Sequence, residues 1–280
     1  MRNLNEFWAK YKKNKIGIVG LFIIIFFVLL SILAPILPIP SPTATTSQID
    51  SPPSLIHPFG TNDLGEDMLS LCIWSIEISL ITGIFAAIII ILIGLIIGMI
   101  SGYYGGIIDE IFMRITDFFL VIPSLVLIIV ITALFGANLF NVILIIGLLS
   151  WPTTARIVRS MTLSLKERQF IEAAKISNVP NFYIIFKHLF PNVFPVIIAT
   201  GILNISGAIF TQASLVFLGV GNITDLSFGL LLHNAFEGGD IIGGFWWTSL
   251  FPGLFLTLII IGFVFIGRSL EQILNPKRSE

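Results

Sequence analysis

Few side chains in this sequence have the type and spacing that chemistry needs. The three histidines, His57, His188 and His233, lie too far apart to suggest a metal site. The single cysteine, Cys72, excludes a disulfide or a cysteine-based metal centre within one chain. No segment has the phosphate-cradling G-x-x-x-x-G-K-[ST] spacing, and the pair Gly-Lys does not occur. H-E-x-x-H, G-x-S-x-G and G-x-G-x-x-G are missing too, so no zinc site, acyl-transfer nucleophile or dinucleotide cradle is recognisable. Glu110 and Asp117 are the only carboxylates near enough to consider for paired acid–base work, and helix-end solvation explains them more simply. One apolar stretch holds a polar cluster: Asn204, Ser206, Thr211, Gln212 and Ser214. These side chains either hydrogen-bond between helices or line a hydrated passage.

The background of those residues decides the class of molecule. The chain has 280 residues, 56% hydrophobic and 11% charged, with a mean hydropathy of +1.00. Soluble domains carry about 25% charged residues, so a single large soluble domain is excluded. Disorder is excluded by the apolar excess. The reading is an all-α, polytopic membrane protein. A helix crossing the roughly 30 Å hydrocarbon core needs about 20 apolar residues. Six segments qualify, approximately 16–36, 76–100, 118–135, 140–155, 194–218 and 245–266. The fourth is the shortest, and Trp151-Pro152 interrupts it. Their only ionisable group is Glu77, at the edge of the second.

Placing both termini in the cytoplasm puts every basic residue on the inner side, the positive-inside distribution. Those residues are Arg2, Lys10, Lys12, Lys13 and Lys15; Arg114; Arg156, Arg159, Lys166, Arg168, Lys175 and Lys187; and Arg268, Lys277 and Arg278. The sixteen acids divide evenly between the faces, and the net charge of −1 invites no nucleic acid. Residues 1–75 then comprise an N-terminal cytoplasmic segment, the first span and an external loop with seven of the fourteen prolines. That loop reads as extended, ordered and then loose. Residues 76–280 form a five-helix core with a cytoplasmic loop at about 156–193. The outer stretch 220–244, with Asp225, Glu237 and Asp240, is either a solvated acidic face or a docking surface for an external partner.

The inner loop between the fourth and fifth segments is the most informative. Ser164-Leu165-Lys166-Glu167 fits the S-x-x-E capping box and predicts a helix from Gln169 to Ser177. Phe170, Ala173, Ala174 and Ser177 give it one small, partly apolar face. Asn178 follows, a residue that tolerates the left-handed conformation just past a helix end, and Val179-Pro180 stops the helix. Residues 181–190 supply a second short helix, ended by Pro191. The product is a helix–turn–helix elbow. Its alanines either admit another backbone closely or serve propensity on a helix lying against the bilayer.

Glu172-Ala173-Ala174, three residues, Asn178 and then His188-Leu189-Phe190-Pro191 resemble the EAA motif of ABC-type importer permeases. That motif reads E-A-A-x-x-x-G with an apolar-Pro ending about nine residues on, and Asn178 stands in place of its glycine, the residue least restricted at positive φ. Phe7-Trp8, the basic run at 10–15 and Leu33-Ala34-Pro35 look like the N-terminal segment of the dipeptide/oligopeptide/nickel permeases of the "C" subunit type. Residues 57–67 resemble their H-x-x-G-T-D-x-x-G-R-D box, with Asn62 and Glu66 as departures. Gly102-Tyr103-Tyr104-Gly105-Gly106, Asp109, Met113-Arg114, Asp117 and Ile122-Pro123-Ser124 are similar to the stretch joining spans two and three. Ala213-Ser214-Leu215-Val216-Phe217-Leu218-Gly219 resembles the end of span five, with Gln212 where glutamate is usual. Trp246-Trp247, Phe251-Pro252-Gly253 and Asn275-Pro276 complete a similarity over nearly the whole chain.

The resemblance implies the type I, MetI-like permease fold, with six spans, in the cell membrane. It implies half of a translocation pathway, completed by a homologous second permease and served by two ATP-binding subunits and an extracytoplasmic substrate-binding protein. The chain would be a transport subunit rather than an enzyme, binding no cofactor or metal; ATP and magnesium would sit on the partner ATPases. Glu172, Ala173, Ala174, Asn178, Arg168 and Phe170 would couple to the ATPase, flanked by Arg156 and Arg159. Those arginines equally satisfy membrane orientation and anionic headgroups. Asn204, Ser206, Thr211, Gln212 and Ser214 are candidates to line the pathway. The implied cargo is peptides, with nickel and oligosaccharides carried by relatives sharing the motifs. An ATP-independent secondary transporter is the rival class, but such proteins commonly need ionisable groups near the midplane.

Overall fold

A chain this apolar satisfies its backbone in lipid by coiling each segment into a helix. The computed structural model describes residues 4–222 and 225–274, and among these the regular elements are all helical. Arg2, Lys277, Arg278 and Asn275-Pro276 lie outside the described residues. The elements are α1 (Leu4–Lys13), α2 (Lys15–Leu33), α3 (Met68–Tyr104), α4 (Gly106–Val121), α5 (Ser124–Phe135), α6 (Leu139–Ser150) and α7 (Pro152–Lys166). They continue with α8 (Gln169–Ile176), α9 (Asn181–Tyr183), a π-helical stretch (Ile184–Leu189), α10 (Phe190–Phe217), α11 (Phe228–Glu237), α12 (Asp240–Gly243) and α13 (Trp247–Leu274).

Among the described residues, four uninterrupted helices are long and apolar enough to cross a membrane: Lys15–Leu33, Met68–Tyr104, Asn181–Phe217 and Trp247–Leu274. Two bent pairs, α4 with α5 and α6 with α7, bring the number to six if each is one span. Prolines account for the bends. The expected straight segment 118–135 is broken at Ile122-Pro123, where the chain turns by 87°. Proline disfavours helical backbone at the residue before it, and Ile122 is extended at φ −81°, ψ 129°. Pro152 opens α7 and leaves a gentler bend of 41° at Trp151. Pro191 does not end a helix, contrary to expectation. The preceding turn widens to π geometry, with the Phe190 N–H bonded to the Ile185 carbonyl five residues back. A π turn gives room for the ring and the missing donor, and the helix runs on to Phe217.

At 37 residues, α3 is about 55 Å long. It packs against α7, α10 and α6 and so sets the axis of the molecule. Its approach to α7 is backbone-close because Gly94, Gly98 and Gly102 line one face at four-residue spacing. A Cβ at Gly94 would lie 2.7 Å from the Thr154 side chain, at Gly98 2.5 Å from the Ala155 carbonyl, and at Gly102 2.8 Å from the Thr162 side chain. Small residues at this spacing let helices pack without large side chains between them. A second close pair joins α2 to α13, where Gly20 faces the Gly262 carbonyl.

The loop before α3 is tied down on both sides of the exposed tip at Leu55 and Ile56. Thr46 bonds Gly65 through both its N–H and its hydroxyl, each at 2.9 Å. Thr61 is fully buried; its hydroxyl donates to the Gln48 carbonyl at 2.6 Å, and its own carbonyl accepts from the Trp247 indole at 3.0 Å. Asp67 caps α3 through the Ser70 N–H and pairs with buried His57 at 2.8 Å. This lid therefore shares a core with α2, the start of α3 and α13, in which Phe27, Met68, Phe255 and Trp247 are buried.

Replacing Gly98 by leucine should cost about 1–3 kcal/mol through overpacking of the α3–α7 seam. Thermal unfolding of the purified chain in detergent is expected to show a lower midpoint for Gly98→Leu. Gly207→Leu, where no atom lies within 4 Å of a new Cβ, should melt like the parent. Equal midpoints for all three proteins would refute the seam.

Candidate functional site

The elbow between α7 and α10 is assembled differently from the capping-box expectation. Ser164 lies inside α7, which continues to Lys166, so its hydroxyl caps nothing. The break falls at Glu167 and Arg168, and Arg168 precedes α8 in extended conformation without a side-chain cap. The far end of α8 follows expectation. Asn178 adopts φ +53°; its N–H bonds the Lys175 carbonyl at 3.0 Å, and the Val179 N–H bonds the Ala174 carbonyl at 3.2 Å. This is the paired 6→1 and 5→2 closure that a left-handed residue makes possible.

One residue anchors α8 from below. Ile171 is completely buried with Ile184, Leu189, Val158 and Tyr103, a burial worth about 1.5–3 kcal/mol. The opposite face is bare. Glu172, Ala173, Lys175 and Asn178 are exposed, and Ala174 is half-buried. Around them stand exposed apolar side chains: Phe170, Ile176 at 84% exposure, Phe182 at 70% and Phe186 at 56%. Phe182 and Phe186 rest ring to ring at 4.3 Å. A shallow cavity of about 550 Å³ opens at the α7–α8 junction, lined by Ser164, Glu167, Arg168, Gln169 and Phe170. An apolar patch rimmed by Arg168, Glu172, Lys175 and Lys187 has the character of a protein-binding surface.

The elbow is fastened to the end of α3. The Tyr103 hydroxyl donates to Asn181 Oδ1 at 2.7 Å, and Lys166 and Lys175 each place Nζ 5.9 Å from the Tyr103 ring. Arg159 grips Asp109 of α4 with Nε and Nη2, both at 2.5 Å, and the Ser101 hydroxyl joins the same carboxylate. Arg156 pairs with Asp117 at 2.5 Å and Arg114 with Glu110 at 3.2 Å. Arg156 and Arg159 thus serve the α4–α7 contact instead of flanking the exposed face of α8, because opposite charges on α4 meet them first. Glu110 and Asp117 belong to separate ion pairs and form no acid–base couple. Chain spacing gave no hint of Arg159–Asp109, fifty residues apart, or of Tyr103–Asn181. The glycines at 94, 98 and 102 were the available signal for the seam that brings them together.

The polar cluster of α10 divides between two faces. Asn204 donates to Thr154 Oγ1 at 3.1 Å, an interhelical bond to α7. Ser206, Thr211 and Ser214 donate to carbonyls of their own helix. Thr211 and Ser214 are half-buried beside exposed Gly207 and Phe210. Gln212, 3% exposed, turns inward, and its Oε1 has no hydrogen-bond partner among the described residues.

Residues 94–280, which contain α4 to α13 and the elbow, match the family described as "Binding-protein-dependent transport system inner membrane component". The chain belongs to that family. Residues 3–57 also match the "N-terminal TM domain of oligopeptide transport permease C". The chain is 39% identical over 274 residues to the dipeptide transport system permease protein DppC of Alkalihalophilus pseudofirmus, covering 97% of this chain and 89% of that protein. It is 35% identical to DppC of Bacillus subtilis over 96% of this chain and 84% of that protein. It is 36% identical to the oligopeptide transport system permease protein OppC of Bacillus subtilis over 96% and 88%. In this inner-membrane transport component the EAA-like run therefore lies on α8.

Asn178→Gly should preserve the elbow, since glycine meets no penalty at positive φ. Asn178→Val should cost about 1–2 kcal/mol locally and be seen as faster proteolytic nicking at 176–180. Equal nicking of the two variants would contradict the left-handed closure.

Proposed function

We propose that this chain is the permease subunit of an ATP-driven peptide importer, forming half of the translocation pathway for di- or oligopeptides in the cell membrane. In this reading each bent pair is one span, giving six, and both termini are cytoplasmic. Most of the described basic residues lie on elements that support that orientation: α4 and α7 pack on α3, α8 and the π-helical stretch pack on α7, and the start of α2 meets the end of α13 through Gly17–Ser269 and Asn14–Gln272. The naming of the relatives as dipeptide and oligopeptide transport permeases supports the cargo class. The observation on which coupling rests is the elbow itself, an exposed apolar and Glu-Ala-Ala surface held on a buried Ile171 and tied to α3.

The work is mechanical. Two cytoplasmic ATPase subunits close on ATP, whose magnesium they also hold, and this chain binds neither. One ATPase subunit receives α8. Ala173 and Ala174 let its backbone approach, Glu172 makes the polar contact, and Phe170 and Arg168 border the groove. Asn178 holds the helix end in shape. Because α8 is fixed to α7 and α7 to α3, motion of the elbow moves the bundle as a rigid body, which opens and closes the pathway against a homologous second permease. An extracytoplasmic binding protein delivers cargo at the other end. Thr211 and Ser214, beside exposed Gly207 and Phe210, would face that pathway, with Asn204, Ser206 and Gln212 behind them.

Ala173→Trp is expected to abolish co-purification of the ATPase while leaving the permease in the membrane fraction. Retained co-purification with normal ATP-dependent peptide uptake would remove α8 from the coupling role.

A further inference from the structure

The cations of this chain fall into two classes. Arg114, Arg156, Arg159 and Arg268 each hold a carboxylate, on Glu110, Asp117, Asp109 and Glu271. Lys10, Lys12, Lys13 and Lys15 are all exposed, and none is in an ion pair among the described residues. They crowd around Asn14, the single residue between α1 and α2. The sequence supplies little to neutralise them, since Glu6 is the only acid before Asp50.

This corner has a fixed mounting. Tyr11 is buried with Ala199 and Leu270, and its hydroxyl donates to the Gly17 carbonyl at 2.9 Å. Asn14 caps α2 through the Gly17 N–H at 3.1 Å and donates to Gln272 Oε1 at 3.0 Å. With Tyr11 held inward, Trp8 stays on the free side. It is 46% exposed and stacked on Tyr11 at 5.8 Å, with Lys12 Nζ 5.5 Å from its ring centre. Directly beyond, α2 begins as an apolar span whose free face shows Ile16, Val19 and Phe22.

An exposed tryptophan beside lysines at the end of an apolar span belongs to the membrane–water interface. Lysines at that level meet lipid headgroups. A zwitterionic headgroup carries its own cation, whereas an anionic one leaves a net negative charge to be answered, and polybasic segments beside a span are drawn to it. The four lysines have no counter-charge within the protein, so charge complementarity selects the anionic class.

We infer that the α1–α2 corner is a binding site for anionic phospholipid, with the headgroup phosphate among Lys10, Lys12, Lys13 and Lys15 and the acyl chains along Trp8 and the free face of α2. The inference goes beyond the permease reading and requires only that α2 lie in the bilayer. In the orientation proposed above, the lipid belongs to the inner leaflet.

The test places the full chain in phosphatidylcholine nanodiscs that contain a rising fraction of lipid brominated near the headgroup. Bromine quenches nearby indoles, and the Trp8 signal is the difference between the parent and Trp8→Phe. Brominated phosphatidylglycerol should half-quench Trp8 at a mole fraction about tenfold lower than brominated phosphatidylcholine, and the preference should shrink between about 50 and 300 mM salt. Changing Lys10, Lys12, Lys13 and Lys15 together to Gln should bring the two lipids to parity, while the same four changed to Arg should keep the preference. Arg114→Gln, which removes a paired cation, should keep it too. Equal quenching of the parent by the two lipids overturns the site, and that comparison leaves the lysines untouched. Relief of the quenching by inorganic phosphate would assign the lysines to a soluble anion and overturn it as well. Neither result bears on the permease reading.

Discussion

Contact of α3 with α7 at backbone distance is the constraint on which the other features depend. Lipid offers no hydrophobic drive between apolar helices, so close fit and polar clasps must supply the attraction. Gly94, Gly98 and Gly102 supply the fit, and the Asp109–Arg159 and Asn204–Thr154 bonds supply the clasps. Only with α7 seated against α3 does α8 come under Tyr103, and only then can Ile171 be buried. The exposed elbow is thus the far end of a stack that begins with three missing side chains.

Three prolines show where sequence reading stops. Hydropathy located α2, α3, α10 and α13 because continuous apolar runs leave no competing solution. It misread 118–135 and 181–190 because a proline's effect depends on its neighbours. At Pro123 the preceding residue takes extended backbone and the chain turns sharply; at Pro152 the ring sits in the first turn of a new helix; at Pro191 a π turn absorbs it. Asn178 was legible, since few residues tolerate positive φ. Ser164 was not, because a four-residue cap pattern also occurs inside helices. Arg156 and Arg159 looked like free surface charge, since Asp117 and Asp109 reach them only through the packing of α4 on α7.

The two ends of α3 have opposite chemistry. At one end lie the described basic residues and an apolar knob; at the other, a hydrogen-bonded loop with carboxylates and no Lys or Arg. Within that loop, Asn62 and Glu66 bond each other, so the two departures from the family box compensate locally. Their link keeps the turn closed at Gly65, whose positive φ of 75° no β-branched residue would tolerate. The long helix α3 joins these two ends without a break.

A distance measurement decides whether the elbow is rigid on α3. Spin labels at Ile88 on α3 and Lys175 on α8, both exposed, are compared in the assembled complex without nucleotide and trapped with ATP; buried Cys72 stays unlabelled. A rigid elbow gives one narrow distance distribution, unchanged in centre and width between the two states. A shifted or broadened distribution on ATP binding would mean that the elbow swings on its own and does not move α3.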